Sequence, residues 1–137
     1  MNRSKAKGTT HETNAVKWFR ENGFPEARRE TLHGSKDVGD IGGVSWRGIP
    51  IVIEVKNCRE KRHALWLKEA EAERVNAGAP IAFVITHTRG VGEKNYGENE
   101  CLIDLRSLAK LLDLSLEIDG YAIMPLRTIA ELLRGEK

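Results

Sequence analysis

The stretch from Ile49 to Lys56 constrains this chain more than any other. It places Ile49, Ile51, Val52, Ile53 and Val55 within eight positions, a density of β-branched side chains that suits a buried strand. Ile81 to Thr86 is a second run of the same kind. Between them, roughly Ala64 to Asn76 reads as a helix, closed by Gly78 and Pro80. Strand, helix and strand in that order predict a parallel pair joined by a right-handed crossover. The expected architecture is α/β, a central mixed β-sheet flanked by α-helices.

The flanking segments extend this unit. Thr9 is a good N-cap with Glu12 three residues on, and Gly23 closes a helix whose apolar face is Ala15, Val16 and Phe19. Ala27 to Thr31 and Asp40 to Ser45 read as shorter strands, the second weakened by Gly42 and Gly43. Arg47-Gly48 suits a turn into the strong strand. Residues 88–100, with Gly90, Gly92 and Gly97, read as an exposed loop, followed by a short strand at Cys101 to Ile103. Leu105, Leu108, Ala109 and Leu112 follow helical spacing. The segment Leu105 to Leu112 recurs 21 residues later as Leu126 to Leu133, which predicts two similar amphipathic helices on one sheet.

At 137 residues the chain is expected to form a single domain. Apolar residues make up 40% and charged residues 31%, a balance that excludes disorder throughout. A net charge of +2 is too small to argue for nucleic acid, so a basic signal must come from clustering. Cys58 and Cys101 make neither a disulfide framework nor a C-x-x-C motif. Met1 to Thr10 is polar and basic, unlike a secretory signal, and no apolar run approaches the length of a bilayer span. The expected setting is the reducing cytoplasm, with no membrane partner.

Chemistry concentrates at Gly39-Asp40-Ile41 and Ile53-Glu54-Val55-Lys56. Strand periodicity sends Glu54 and Lys56 to one side and Val55 to the other. An acid and a base on one face of an apolar strand are costly to bury without partners. A hairpin brings the carboxylate of Asp40 toward Glu54, and two carboxylates with a backbone carbonyl make a hard oxygen site suited to Mg²⁺ or Mn²⁺. The plainer alternatives are a same-face ion pair for Glu54 and Lys56, a turn residue for Asp40, and a capping box for Thr9 and Glu12. Glu12 nevertheless stands at i of an i, i+3, i+4, i+7 series with Ala15, Val16 and Phe19, at the head of the buried face. Lys56, Arg59, Lys61 and Arg62 against Glu60 leave +3 within seven residues, either a solvated face or a phosphate contact. Lys5 and Lys7 near the start pose the same choice, between a solvated terminus and a DNA-contacting arm. Trp18, Trp46 and Trp66 are read as core or interface residues, His63 and His87 as surface or strand-end residues, and His11 as exposed near the helix start.

In order, Lys7-Gly8-Thr9-x-x-Glu12, Arg28-Arg29, Asp40-Ile41 and Glu54-Val55-Lys56 resemble the archaeal-type Holliday-junction resolvases of the PD-(D/E)xK nuclease superfamily. The likeness covers about residues 5–87, the expected nuclease core, and leaves 88–137 as a C-terminal strand and helix extension. One position departs from the pattern: the family's proline before the aspartate is Gly39 here.

The resemblance implies a restriction-endonuclease-like core and a metal-dependent DNA endonuclease that resolves four-way junctions by paired symmetric nicks. It implies that Asp40, Glu54 and the Val55 carbonyl hold Mg²⁺, with Mn²⁺ as a possible substitute, and that Glu12 completes the site. Lys56 would orient or help deprotonate the attacking water. Ser35 matches a serine on a mobile loop near the scissile phosphate, in the segment that also holds His33 and Lys36. Lys5, Lys7, Arg28, Arg29, Lys36, Arg59, Lys61 and Arg62 would contact DNA, and two opposed cuts imply a homodimer. Two other readings stay open. One is a repair, flap or restriction-like nuclease of the same superfamily. The other is a non-catalytic nucleic-acid-binding protein on the same fold.

Overall fold

The structure, a computed structural model, describes residues 3–30 and 39–135. It is an α/β protein. Helix α1 (Arg3–Glu21) leads into strands β1 (Arg28–Arg29) and β2 (Ile41–Gly42), then a small hairpin of β3 (Ser45–Trp46) and β4 (Ile49–Pro50). Strand β5 (Val52–Lys56), helix α2 (His63–Ala77) and strand β6 (Ala82–Thr86) follow. A 3-10 helix (Glu93–Glu98) precedes β7 (Glu100–Asp104), α3 (Leu105–Leu111), β8 (Tyr121–Pro125) and α4 (Leu126–Arg134).

Six strands form one mixed sheet in the order β1-β2-β5-β6-β7-β8. The predicted parallel pair is present, with β5 and β6 paired over Val52–Lys56 and Ala82–Thr86 and α2 between them in sequence. All other pairs in the sheet are antiparallel. The sheet runs through both the part that carries the resemblance and the C-terminal part, so 88–137 contributes two strands to the same sheet.

Two layers cover it. On one face Ile41, Ile53, Val55, Phe83, Ile85 and Ile103 pack with Ala15, Val16 and Phe19 of α1 and Leu126, Ile129 and Leu133 of α4. On the other, Val52, Ala82, Val84 and Leu102 pack with Trp66 and Ala70 of α2. Trp18 and Trp46 pack, partly buried, against the larger core. Alternation along β5 therefore sends Ile53 and Val55 toward α1, and Val52 toward α2.

Several expectations are corrected. α1 begins at Arg3, so Thr9 is not an N-cap and Thr9 to Glu12 is no capping box. Residues 3–8 continue that helix rather than forming an arm. The expected strand at 40–45 breaks into β2 and β3 because Gly43, at φ 76°, turns the chain against the Glu26 backbone. The strong run from Ile49 also divides, with β4 pairing β3 and β5 pairing β2. The Arg47-Gly48 turn stands as read, with both residues at positive φ, the geometry of a tight hairpin turn. Residues 88–100 are not all exposed loop, since Tyr96, Gly97 and Asn99 are buried and the ring of Trp18 lies against Gly97. β8 was not anticipated at all.

Candidate functional site

Three elements meet at the centre of interest. The amide of Asp40 donates to the Ile53 carbonyl at 2.8 Å, and its Oδ2 accepts from the Val55 amide at 2.8 Å. Asp40 thus holds the backbone on both sides of Glu54. Gly39 makes this approach possible. It sits at φ 97°, and a side chain there would meet the Ile53 carbonyl at 2.9 Å.

Glu54 is only 5% exposed, and its Oε1 is buried without a hydrogen-bond partner. Strand alternation places it with Val52 on the α2 side. Lys56 shares that side, and its Nζ donates to Glu69 Oε2 of α2 at 2.8 Å. Lys56 is thus paired with Glu69, a partner that sequence spacing does not point to, and the plainer alternative of a Glu54–Lys56 ion pair is not what forms.

Glu12 projects from α1, which covers the opposite face. Arg29 grips it, with Nε and Nη2 at 3.1 and 3.0 Å from Oε2. Burial, and after it the charge of Asp40, raise the Glu12 carboxyl above its ordinary value, and the Arg29 hydrogen bond pulls the other way. Glu12 is thus electrostatically linked to Asp40, and Asp40 to the strand that carries Glu54. Among the described residues no three of His, Cys, Asp and Glu converge as a metal-holding cluster.

What the site does offer is narrower. A buried carboxylate oxygen with no partner is the kind of group a hard cation satisfies. Mg²⁺ is commonly held by one or two carboxylates, with waters and substrate phosphates filling the rest of its shell. Glu54 and Asp40 are of the residue types that such a shell uses, and among the described residues Glu12 does not join them as a third member of a metal-holding group.

Arg59, Lys61 and Arg62 are exposed on the segment between β5 and α2. Lys61 Nζ donates to the His87 carbonyl at 3.0 Å, and Arg62 pairs loosely with Glu60 at 3.4 Å. Arg28 is exposed and paired with Glu30 at 2.9 Å, so it is not a bare cation. Lys5 and Lys7 fall within the first turns of α1. His33, Ser35 and Lys36 lie outside the described residues.

Sequence reasoning missed one neighbourhood. His11, expected to be exposed, is 6% exposed and packs against Tyr96, its Nδ1 3.3 Å from the tyrosine hydroxyl. Burial, then the charges of His87 and Lys61, lower its pKa to about 4. The available signal was Tyr96, a large aromatic inside an otherwise glycine-rich and charged run.

Comparison with family models, curated proteins and solved structures returned no significant match. Among the described residues no helix is long and apolar enough to cross a membrane.

Proposed function

We propose that this chain is a Mg²⁺-dependent, structure-selective DNA endonuclease on a restriction-endonuclease-like core, and that it resolves four-way junctions. The observation that carries the reading is the buried, unpartnered Oε1 of Glu54 on a strand clamped by Asp40. A folded chain tolerates such an oxygen where something else completes it.

In this reading Asp40 and Glu54 would hold the ion, which would supply water activation and neutralise charge developing on the phosphate. Asp40 also keeps the strand end fixed through Val55 and Ile53, so the carboxylates are preorganised. Lys56 leaves Glu69 to meet the scissile phosphate or its attacking water. Arg29 holds Glu12 beside Asp40, where Glu12 tunes the local charge and positions water. Arg59, Lys61 and Arg62 contact phosphates next to the site.

The active unit in this reading is a homodimer, since paired nicks need two sites related by a two-fold axis. Helix α4 is not free for an interface, since Leu126, Ile129, Ala130 and Leu133 are buried on their own sheet, as the sequence predicts. The better surface is the edge strand β8, which among the described residues neighbours β7 alone. Its Tyr121 and Ile123 are exposed, as are Leu114, Leu116 and Ile118 in the segment before it. Antiparallel pairing of two β8 edges would close the assembly and cover an edge that is otherwise open to aggregation.

The test is incubation with labelled four-way, flap, linear duplex and single-stranded DNA in Mg²⁺ and in EDTA. Symmetric nicking of the junction, in Mg²⁺ alone, supports the reading. Cutting of flap or duplex instead would move the chain to another nuclease of the superfamily, and binding without cutting would make it a non-catalytic DNA-binding protein.

A further inference from the structure

A cavity of about 350 Å³ opens between α1, the ends of β5 and β6, and the 3-10 helix. His11, Asn14, Asn57, His87 and Tyr96 line it. It shares two elements with the candidate site, because His11 precedes Glu12 and Asn57 follows Lys56. Its size falls in the range of small-molecule sites, about 300–1,000 Å³.

Its floor is polar. His11 is buried, its Nε2 sealed from solvent, and its ring lies within hydrogen-bonding reach of the Thr86 backbone. Its Nδ1 faces the Tyr96 hydroxyl, which also reaches the His11 carbonyl at 3.3 Å. Asn99 acts as scaffold: its Oδ1 accepts from the Thr88 amide at 2.9 Å, and its Nδ2 donates to the Tyr96 carbonyl at 3.0 Å.

The wall is a flat ring. His87 is exposed at the end of β6, its ring centroid 5.5 Å from that of His11. Lys61 holds the His87 carbonyl and brings an ammonium to this rim. A planar face, side-chain amides and a nearby cation suit a flat heterocycle that carries a phosphate on its sugar. They do not suit a lipid tail, which would find side-chain amides in its path.

We propose that this cavity receives a nucleobase turned out of the stack beside the cleaved phosphate, so that the protein grips DNA by one unstacked base as well as by its backbone. The proposal rests on the DNA reading above. Enzymes that reach into a stack must unpair or unstack a nucleotide, and a junction's exchange point lowers that cost. His87 would stack on the base, and Asn14 and Asn57 would meet its edge.

The experiment uses the full chain and four-way junctions in EDTA, where binding is read without cutting. An abasic residue is placed at each nucleotide around the exchange point in turn, and affinity is measured for wild type and His87→Ala. Loss of one base–aromatic stack should weaken wild type about tenfold at one position. His87→Ala should bind the intact junction about tenfold more weakly and be indifferent to that same abasic site. 2-Aminopurine at that position should brighten on binding wild type and not the variant. Equal wild-type affinity for every abasic junction overturns the proposal, as do losses that simply add. Cleavage in Mg²⁺ without this coupling rejects the base pocket and leaves the nuclease standing. Coupling without cleavage rejects the nuclease and keeps the pocket. Absence of junction binding rejects both.

Discussion

Glu54→Gln should make the metal-free protein more stable while destroying its activity. The substitution keeps side-chain volume on the Val52 face and removes a charge whose Oε1 has no partner. A buried, uncompensated carboxylate costs several kcal/mol, and an unmade hydrogen bond to a buried group about 1–3 kcal/mol. The glutamine amide inherits part of that deficit, because its new N–H groups also need acceptors. The difference leaves a net gain of about 1–2 kcal/mol. In a chain of 137 residues this is a rise in Tm of about 3–8 °C.

The assay is thermal unfolding by circular dichroism in EDTA, repeated with Mg²⁺. Ligand that binds only the folded state stabilises it by RT ln(1 + [L]/Kd), about 1.4 kcal/mol at ten times Kd. Wild type should gain that increment and Glu54→Gln should not. The variant would then be the more stable protein in EDTA, and its lead would shrink in Mg²⁺. If the variant melts lower than wild type in EDTA, Glu54 is a structural hydrogen-bonding group. The argument from its unpartnered oxygen then fails. Equal Mg²⁺ shifts for both proteins would place the ion elsewhere.

Asp40→Asn should cut the cleavage rate by a factor on the order of 10² or more while junction binding in EDTA persists, as for loss of a main electrostatic stabiliser. Replacing Arg59, Lys61 and Arg62 together by alanine should lower the slope of log affinity against log salt by about one for each phosphate that is no longer neutralised, and an unchanged slope would return them to a solvated face. Because burial holds His11 down to about 4, the unfolded chain binds the extra proton first, and stability falls as pH drops from 6.5 toward 4. That loss is worth about 3 kcal/mol, read as the difference in urea midpoints between wild type and His11→Gln across this window. Light scattering should give a dimer mass, and Ile123→Lys on β8 should give a monomer that still binds metal.

The parts of the fold legible in the sequence were those where burial is uniform. Ala82, Phe83, Val84 and Ile85 have water on neither face, so their side chains alone announce a central strand. α2 was placed to within a residue at either end, and its lack of a clean apolar stripe has a cause: it buries only Trp66 and Ala70. β8 stayed hidden because its apolar run, Tyr121 to Met124, is short and ends at Pro125, and as an edge strand it leaves Tyr121 and Ile123 in solvent. The placement of His11 failed for a different reason. Thr9-x-x-Glu12 has the composition of a helix start, but the helix already extends back to Arg3, which turns His11 inward to Tyr96. Local sequence signals cannot report on a partner 85 residues away.

Gly39 ties the departure from the family pattern to the site itself. A proline there would need φ near −65°, whereas this chain turns at φ 97°, a region open to glycine and closed to proline. The aspartate that follows is therefore fixed in another way. Its amide meets the Ile53 carbonyl and its carboxylate meets the Val55 amide, each at 2.8 Å. These bonds also break the regular ladder between β2 and β5 at the residue that matters, since one strand amide is now capped by a side chain. Glu54, between the two bonded residues, cannot shift along β5 without breaking them. The unpaired oxygen is thus held on a rigid support rather than left on a loose loop, where a small rotation would take it to water. A structural glutamate gains nothing from that rigidity. A carboxylate that must meet a cation and a phosphate at fixed distances does, because preorganised charge needs no rearrangement when the reaction begins.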